Sequence, residues 1–157
     1  MPYRVVSASD PATRYGSMVR ALKALYNAPH QREYLAIACL LVCYLDAAAA
    51  RGGKSTRDGY LAFLQNNFRE LCKRLDPKGG NDLRAGAAVF LNHFRNGFVH
   101  TFFARTARYA IAEDREVGGA YVAEVLPPGR SAPVIAINID RLYRDFIAFA
   151  RRKAKGA

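Results

Sequence analysis

Apolar residues recur at helical spacing over roughly the first hundred positions, give way to short β-branched runs, and return to helical spacing at the end. Thr13 to Asn27 predicts an amphipathic helix with Met18, Leu22 and Leu25 on one stripe, stopped by Asn27 and Pro29. Gln31 to Arg51 is apolar almost all round, which predicts a central, buried helix ended by Gly52-Gly53. Thr56 to Leu75 carries Tyr60, Leu64, Phe68, Leu71 and Leu75 along one stripe and predicts a third helix. After the loop Asp76-Pro77-Lys78-Gly79-Gly80, Asn81 or Asp82 caps a fourth helix running from Leu83 to Phe94. A bend at Arg95-Asn96-Gly97 leads into a helical stretch from Phe98 towards Arg105.

Arg108 to Ala112, Tyr121 to Leu126 and Val134 to Ile139 are β-branched runs separated by Gly118-Gly119 and Pro127-Pro128-Gly129. They predict a small antiparallel β-meander over about 105–139. Asp140 caps a closing helix over 140–154, with Leu142, Phe146 and Phe149 inward. Residues 1–12 carry no such pattern and read as a loosely held leading segment. The expected fold class is therefore mainly α: a helical bundle with a small antiparallel β-meander before the last helix, in a single domain of 1–157.

Composition narrows the picture. A chain of 157 residues with 51% hydrophobic residues can bury a core without staples, and three cysteines do not make a disulfide scaffold. Cys39, Cys43 and Cys72 read as small core-filling thiols. The longest uncharged run, Tyr34 to Leu45, is too short to span a bilayer, and no signal pattern opens the chain. A soluble, cytoplasmic protein without a membrane partner is expected. The formal charge of +11, carried mostly by arginine, attracts polyanions, nucleic acid first among them.

Two familiar chemistries are excluded. Gly53-Lys54-Ser55 imitates the end of a phosphate-binding P-loop, but the required glycine falls on Ala48 and the segment follows a helix. His93 and His100 lie seven apart, with neither a zinc-type motif nor a cysteine nearby, so neither a metal nor another cofactor is expected. His30, after Pro29, reads as an exposed residue at a helix start.

The remaining candidate is Phe90-Leu91-Asn92-His93-Phe94-Arg95-Asn96-Gly97-Phe98-Val99-His100. On an ideal helix His93, Asn96 and His100 share a face, while Phe90, Phe94, Phe98 and Phe102 form an anchoring stripe. Arg95 lies about 140° from His100, and Gly97 is the natural hinge to bring the two together. A histidine, an arginine and an asparagine are what metal-free RNA cleavage needs. His100 moves a proton to or from the ribose 2′-hydroxyl or the leaving 5′-oxygen. Arg95 stabilises the charge of the phosphorane, and Asn96 holds the imidazole or a phosphate oxygen. The products would be 2′,3′-cyclic phosphate and 5′-hydroxyl ends, and DNA would not be cut. Asp46, closing the apolar run, either orients Arg95 or His100 from across the bundle or marks where its helix reaches solvent. His93 is either a second groove histidine or a surface residue, and Arg105 and Arg108 are candidates for a phosphate track.

The segment Arg95-Asn96-Gly97-Phe98-Val99-His100 resembles the Arg-x(4–6)-His signature of the HEPN family, with a polar residue after the arginine. The helical layout over residues 13–154 is similar too. The resemblance implies an α-helical bundle, a symmetric homodimer with a composite groove, and metal-independent ribonuclease activity in toxin–antitoxin or defence systems, with an antitoxin as partner. Some members have lost activity. A non-catalytic helical dimerisation module, and a basic nucleic-acid-binding protein without catalysis, are the alternative expectations. The β-meander is not part of the common bundle.

Overall fold

A computed structural model describes residues 10–28, 33–50, 56–97 and 108–156. The protein is mainly helical, with one small sheet placed before the last helix. The predicted stretch from Phe98 towards Arg105 lies outside the described residues, as do His30 and Gly53-Lys54-Ser55.

Helix α1 (Pro11–Tyr26) begins two residues before the predicted start, because Asp10 caps it and Pro11 suits its first position. Its buried stripe is Tyr15, Met18 and Leu22. Helix α2 (Tyr34–Ala49) buries Ile37, Ala38, Leu41, Val42 and Leu45, but it is not enclosed on all sides. Leu35, Ala36 and Cys43 are exposed, with Cys39 and Leu40 half-buried beside them. An apolar sequence all round therefore corresponds here to one packed face and one open face, and Cys43 is not the core thiol that its neighbours suggest.

The predicted third helix is two helices, α3 (Arg57–Asn67) and α4 (Arg69–Leu75), broken at Phe68 (φ −130°, ψ 47°). The Gln65 and Asn67 amides donate to the carbonyls of Leu61 and Phe63 at the end of α3, where Asn66 and Asn67 are poor helix formers. The break drops the Phe68 ring into the core against Phe63 and Phe149. Asp76 then organises the loop, its carboxylate accepting from the N–H groups of Lys78, Gly80 and Asp82 at 3.1, 2.8 and 3.0 Å. Asp82 caps α5 (Leu83–Val89) by accepting from Arg84 and Ala85. Helix α5 lies so close to α4 that a Cβ on Gly86 would sit 1.7 Å from the Cys72 carbonyl oxygen.

Without a break, α5 widens into a π-helical segment, Phe90–Arg95, whose end is marked by the Asn96 N–H bonding the Leu91 carbonyl five residues back. Asn96 and Gly97 remain helical, so the expected bend at Arg95-Asn96-Gly97 is absent. The phenylalanine stripe does anchor the segment: Phe90 and Phe94 are buried and stacked.

The sheet corrects the expected meander. Strands β1 (Tyr109–Ala112), β2 (Val122–Val125) and β3 (Val134–Asn138) lie in the order β1-β3-β2. β2 and β3 are antiparallel, but β1 is parallel to β3, with Tyr109 opposite Ile135. The connection from β1 to β2 holds a 3₁₀ turn (Asp114–Glu116) with a capping box between Glu113 and Glu116. It is too long for a tight hairpin and steps over the end of β3, which takes the central place.

Helix α6 (Ile139–Lys155) follows β3 directly and packs along α1. Its cap is Asn138 and not Asp140: the buried Asn138 amide accepts from Arg141 N–H and donates to Asp114 and the Ala120 carbonyl. Asp140 is buried in the first turn, where its carboxylate accepts from the Tyr26 and Tyr34 hydroxyls and the Asp114 N–H, tying α1 and α2 to the 3₁₀ turn. Among the described residues no helix is long and apolar enough to cross a membrane.

Candidate functional site

Asp46 sits one turn before the end of α2, and Arg95 closes the π-helical segment. The two meet across the bundle. Arg95 Nε and Nη2 both donate to Asp46 Oδ1, at 3.1 and 2.8 Å. Arg95 Nη1 donates to Asn96 Oδ1 at 3.0 Å. All three nitrogens of the guanidinium are thus engaged, and both side chains of the ion pair are only part-exposed (24% and 32%). Of the two readings of Asp46, contact with Arg95 is the one the geometry favours.

The pair borders a cavity of about 190 Å³ lined by Asp46, Thr56, Arg57, Tyr60, Leu91, Arg95 and Asn96. Its wall opposite Arg95 is the first turn of α3. Thr56 caps that helix, its hydroxyl accepting from Gly59 N–H at 3.1 Å. Arg57 Nη1 donates to Asn92 Oδ1 on the π-helical segment at 3.1 Å, bridging the two walls. Two guanidiniums thus face one carboxylate at a helix N-terminus, a field that suits an anion.

Tyr60 is buried at the back of this cavity. Burial pushes its phenol well above the ordinary tyrosine range, the Asp46 carboxylate pushes it further, and Arg95 pulls partly back. Among the described residues its hydroxyl has no hydrogen-bond partner.

The other predicted residues are distributed differently. His93 is half-buried and stacks on Tyr109 of β1, with ring centroids 4.4 Å apart, and it does not line this cavity. Arg108 is exposed at the turn end of the sheet, where it shares a separate cavity with Arg130. His100 and Arg105 lie outside the described residues. Sequence reasoning missed Thr56, Arg57 and Tyr60. Tyr60 was placed in an apolar stripe, and the signal overlooked was its hydroxyl, a polar atom that a leucine in the same stripe would lack.

A larger cavity of about 660 Å³ adjoins the small one through Thr56. Arg14, Tyr15, Asn66, Asn67, Phe149 and Lys153 line it, and no carboxylate does. Neither Arg14 nor Lys153 makes an ion pair among the described residues; each cation lies beside an aromatic ring, that of Tyr15 or Phe149. Compared with protein-family models, curated proteins and solved structures, the chain matches none.

Proposed function

We propose that the chain is a metal-independent endoribonuclease of HEPN type, cleaving RNA to 2′,3′-cyclic phosphate and 5′-hydroxyl ends. The observation that carries this reading is the guanidinium of Arg95, clamped by Asp46 and Asn96 at the edge of a polar cavity. A preorganised cation loses little on meeting the developing charge of a phosphorane, which is the condition for electrostatic catalysis. His100 follows Arg95 by five positions and supplies the proton transfers; its role comes from the sequence pattern. The adjoining cavity, cationic and aromatic, offers RNA a place for a flanking nucleotide by charge and stacking.

The exposed apolar face of α2 (Leu35, Ala36, Cys39, Leu40 and Cys43) supports a homodimer, and it equally favours the second reading, a non-catalytic dimerisation module. An antitoxin covering the Arg95 groove is the further partner that the first reading implies. Incubation of the purified chain with RNA in chelator separates the two. Cleavage with cyclic phosphate ends, abolished in His100→Ala and Arg95→Ala variants that retain their helical circular dichroism, is the expected result. A dimer that cleaves no RNA leaves the second reading in its place. Equal, salt-sensitive binding of RNA and DNA without cleavage leaves the basic surface alone as the function.

A further inference from the structure

Tyr60 has no task in the scheme above. Its ring belongs to the core at 1% exposure, yet its hydroxyl is unpartnered among the described residues. Buried hydroxyls are ordinarily paired, and one left open beside a cavity points to a group that enters the cavity. The company it keeps defines that group. Arg57 and Arg95 outnumber the one carboxylate, and the first turn of α3 adds the positive end of a helix. The volume, about 190 Å³, suits a phosphate group and is too small for a nucleotide, since ligand pockets start at about 300 Å³.

We propose that this cavity is an oxyanion site for a phosphate group, in which the Tyr60 hydroxyl donates to a non-bridging oxygen while Arg57 and Arg95 balance its charge. The source of the phosphate, an RNA backbone, rests on the function proposed above; the site itself does not. A phenol held protonated by burial is a neutral donor at any pH the protein meets, so it lends its hydrogen without giving it up. In RNA cleavage Tyr60 would then be a catalytic residue, donating to the phosphorane from the side opposite the solvent.

The test is titration of the full chain with inorganic phosphate by calorimetry, paired with thermal melts, for the wild type, Tyr60→Phe and Arg57→Gln. The wild type binds phosphate, Tyr60→Phe binds it about ten- to a hundredfold more weakly, and Arg57→Gln is weakened as well. Without phosphate, Tyr60→Phe melts no lower than the wild type, because the substitution removes no hydrogen bond. A wild type that ignores phosphate overturns the proposal, as does unchanged affinity in Tyr60→Phe. A lower melting point of phosphate-free Tyr60→Phe does so too, since it means the hydroxyl is bonded within the protein. Phosphate affinity lost in Tyr60→Phe while the wild type cleaves no RNA keeps the anion site and removes the nuclease. RNA cleavage with phosphate affinity indifferent to Tyr60→Phe does the reverse.

Discussion

The contact between Asp46 and Arg95 joins the end of α2 to the end of the π-helical segment, and its strength can be worked out before it is measured. At a separation near 4 Å in an effective dielectric of about 20, two unit charges attract by about 4 kcal/mol. Holding the two side chains and stripping part of their water consumes much of that. Fully exposed pairs retain about 0.2–1 kcal/mol, whereas breaking a buried pair costs about 3–5 kcal/mol. With side-chain exposures of 24% and 32% and two N–H donors on one oxygen, the pair belongs between these limits, at about 1–2 kcal/mol of coupling. The perturbation is a double-mutant cycle of Asp46→Ala, Arg95→Ala and both together, followed by urea unfolding at 222 nm. Each single variant loses stability. Arg95→Ala loses more, because it strands the Asp46 carboxylate and also strips a donor from Asn96. The double variant loses less than the two singles combined, by the coupling energy. Additivity to within about 0.5 kcal/mol would mean that the charges do not meet in solution and that Arg95 is not preorganised.

Three further outcomes are expected. Gly86→Ala should destabilise the fold by at least about 2 kcal/mol in urea unfolding, despite the helix-propensity gain of about 1 kcal/mol, because the new Cβ meets the backbone of Cys72 and the helices must separate by more than an ångström; a neutral or stabilised variant would refute the close approach of α4 and α5. Asp76, whose three backbone donors hold its carboxyl below the usual range, contributes stability that is full above about pH 4 and is lost as the pH falls through its lowered folded value. Asp76→Asn should therefore lower the urea midpoint at pH 7 and flatten its decline between pH 5 and 2, and an unchanged acid slope would count against the loop geometry. With a thiol-specific reagent at pH 8, exposed Cys43 should react first and Cys72, buried and pushed up to about 12, only on unfolding; slowing of Cys43 labelling as protein concentration rises would report a dimer through the open face of α2.

The elements of the fold were largely legible because their periodicity is strong. Met18 and Leu22 face the core as their spacing says, and Phe146 and Phe149 do the same in α6. What the pattern lacked was a term for competition. The stripe from Tyr60 to Leu75 continues through Phe68 as if one helix carried it, yet the amides of Gln65 and Asn67 turn back on their own carbonyls and the chain breaks. Strand pairing was hidden for a different reason. Alternation says which residues form strands, but the central place of β3 depends on a connection long enough to step over it, anchored by Glu113, Glu116 and Asn138. Asp140 looks like a cap by type and position. Only the tertiary partners Tyr26 and Tyr34, more than a hundred residues away in sequence, convert it into a buried tie.

The candidate site shows the same division between what type and spacing can say and what a backbone must supply. Arginine, asparagine and a distant aspartate were chosen by chemistry, but the means expected to aim the arginine was a glycine hinge at Gly97. The structure aims it by widening the preceding helix: six residues in π geometry advance more slowly around the axis than α-helical ones, so Arg95 is rotated while Phe90 and Phe94 stay in the core. No motif marks that change, because π geometry depends on the packing of both faces at once. It also accounts for the fate of His93, which in an α-helix shares a face with Asn96 but here stacks on Tyr109, leaving Asn96 beside Arg95 at the cavity. Insertion or deletion of one residue within Phe90–Arg95 should therefore harm the site more than substitution of Gly97 by alanine, since the register of the wide turn, and not the freedom of the glycine, sets where the guanidinium points.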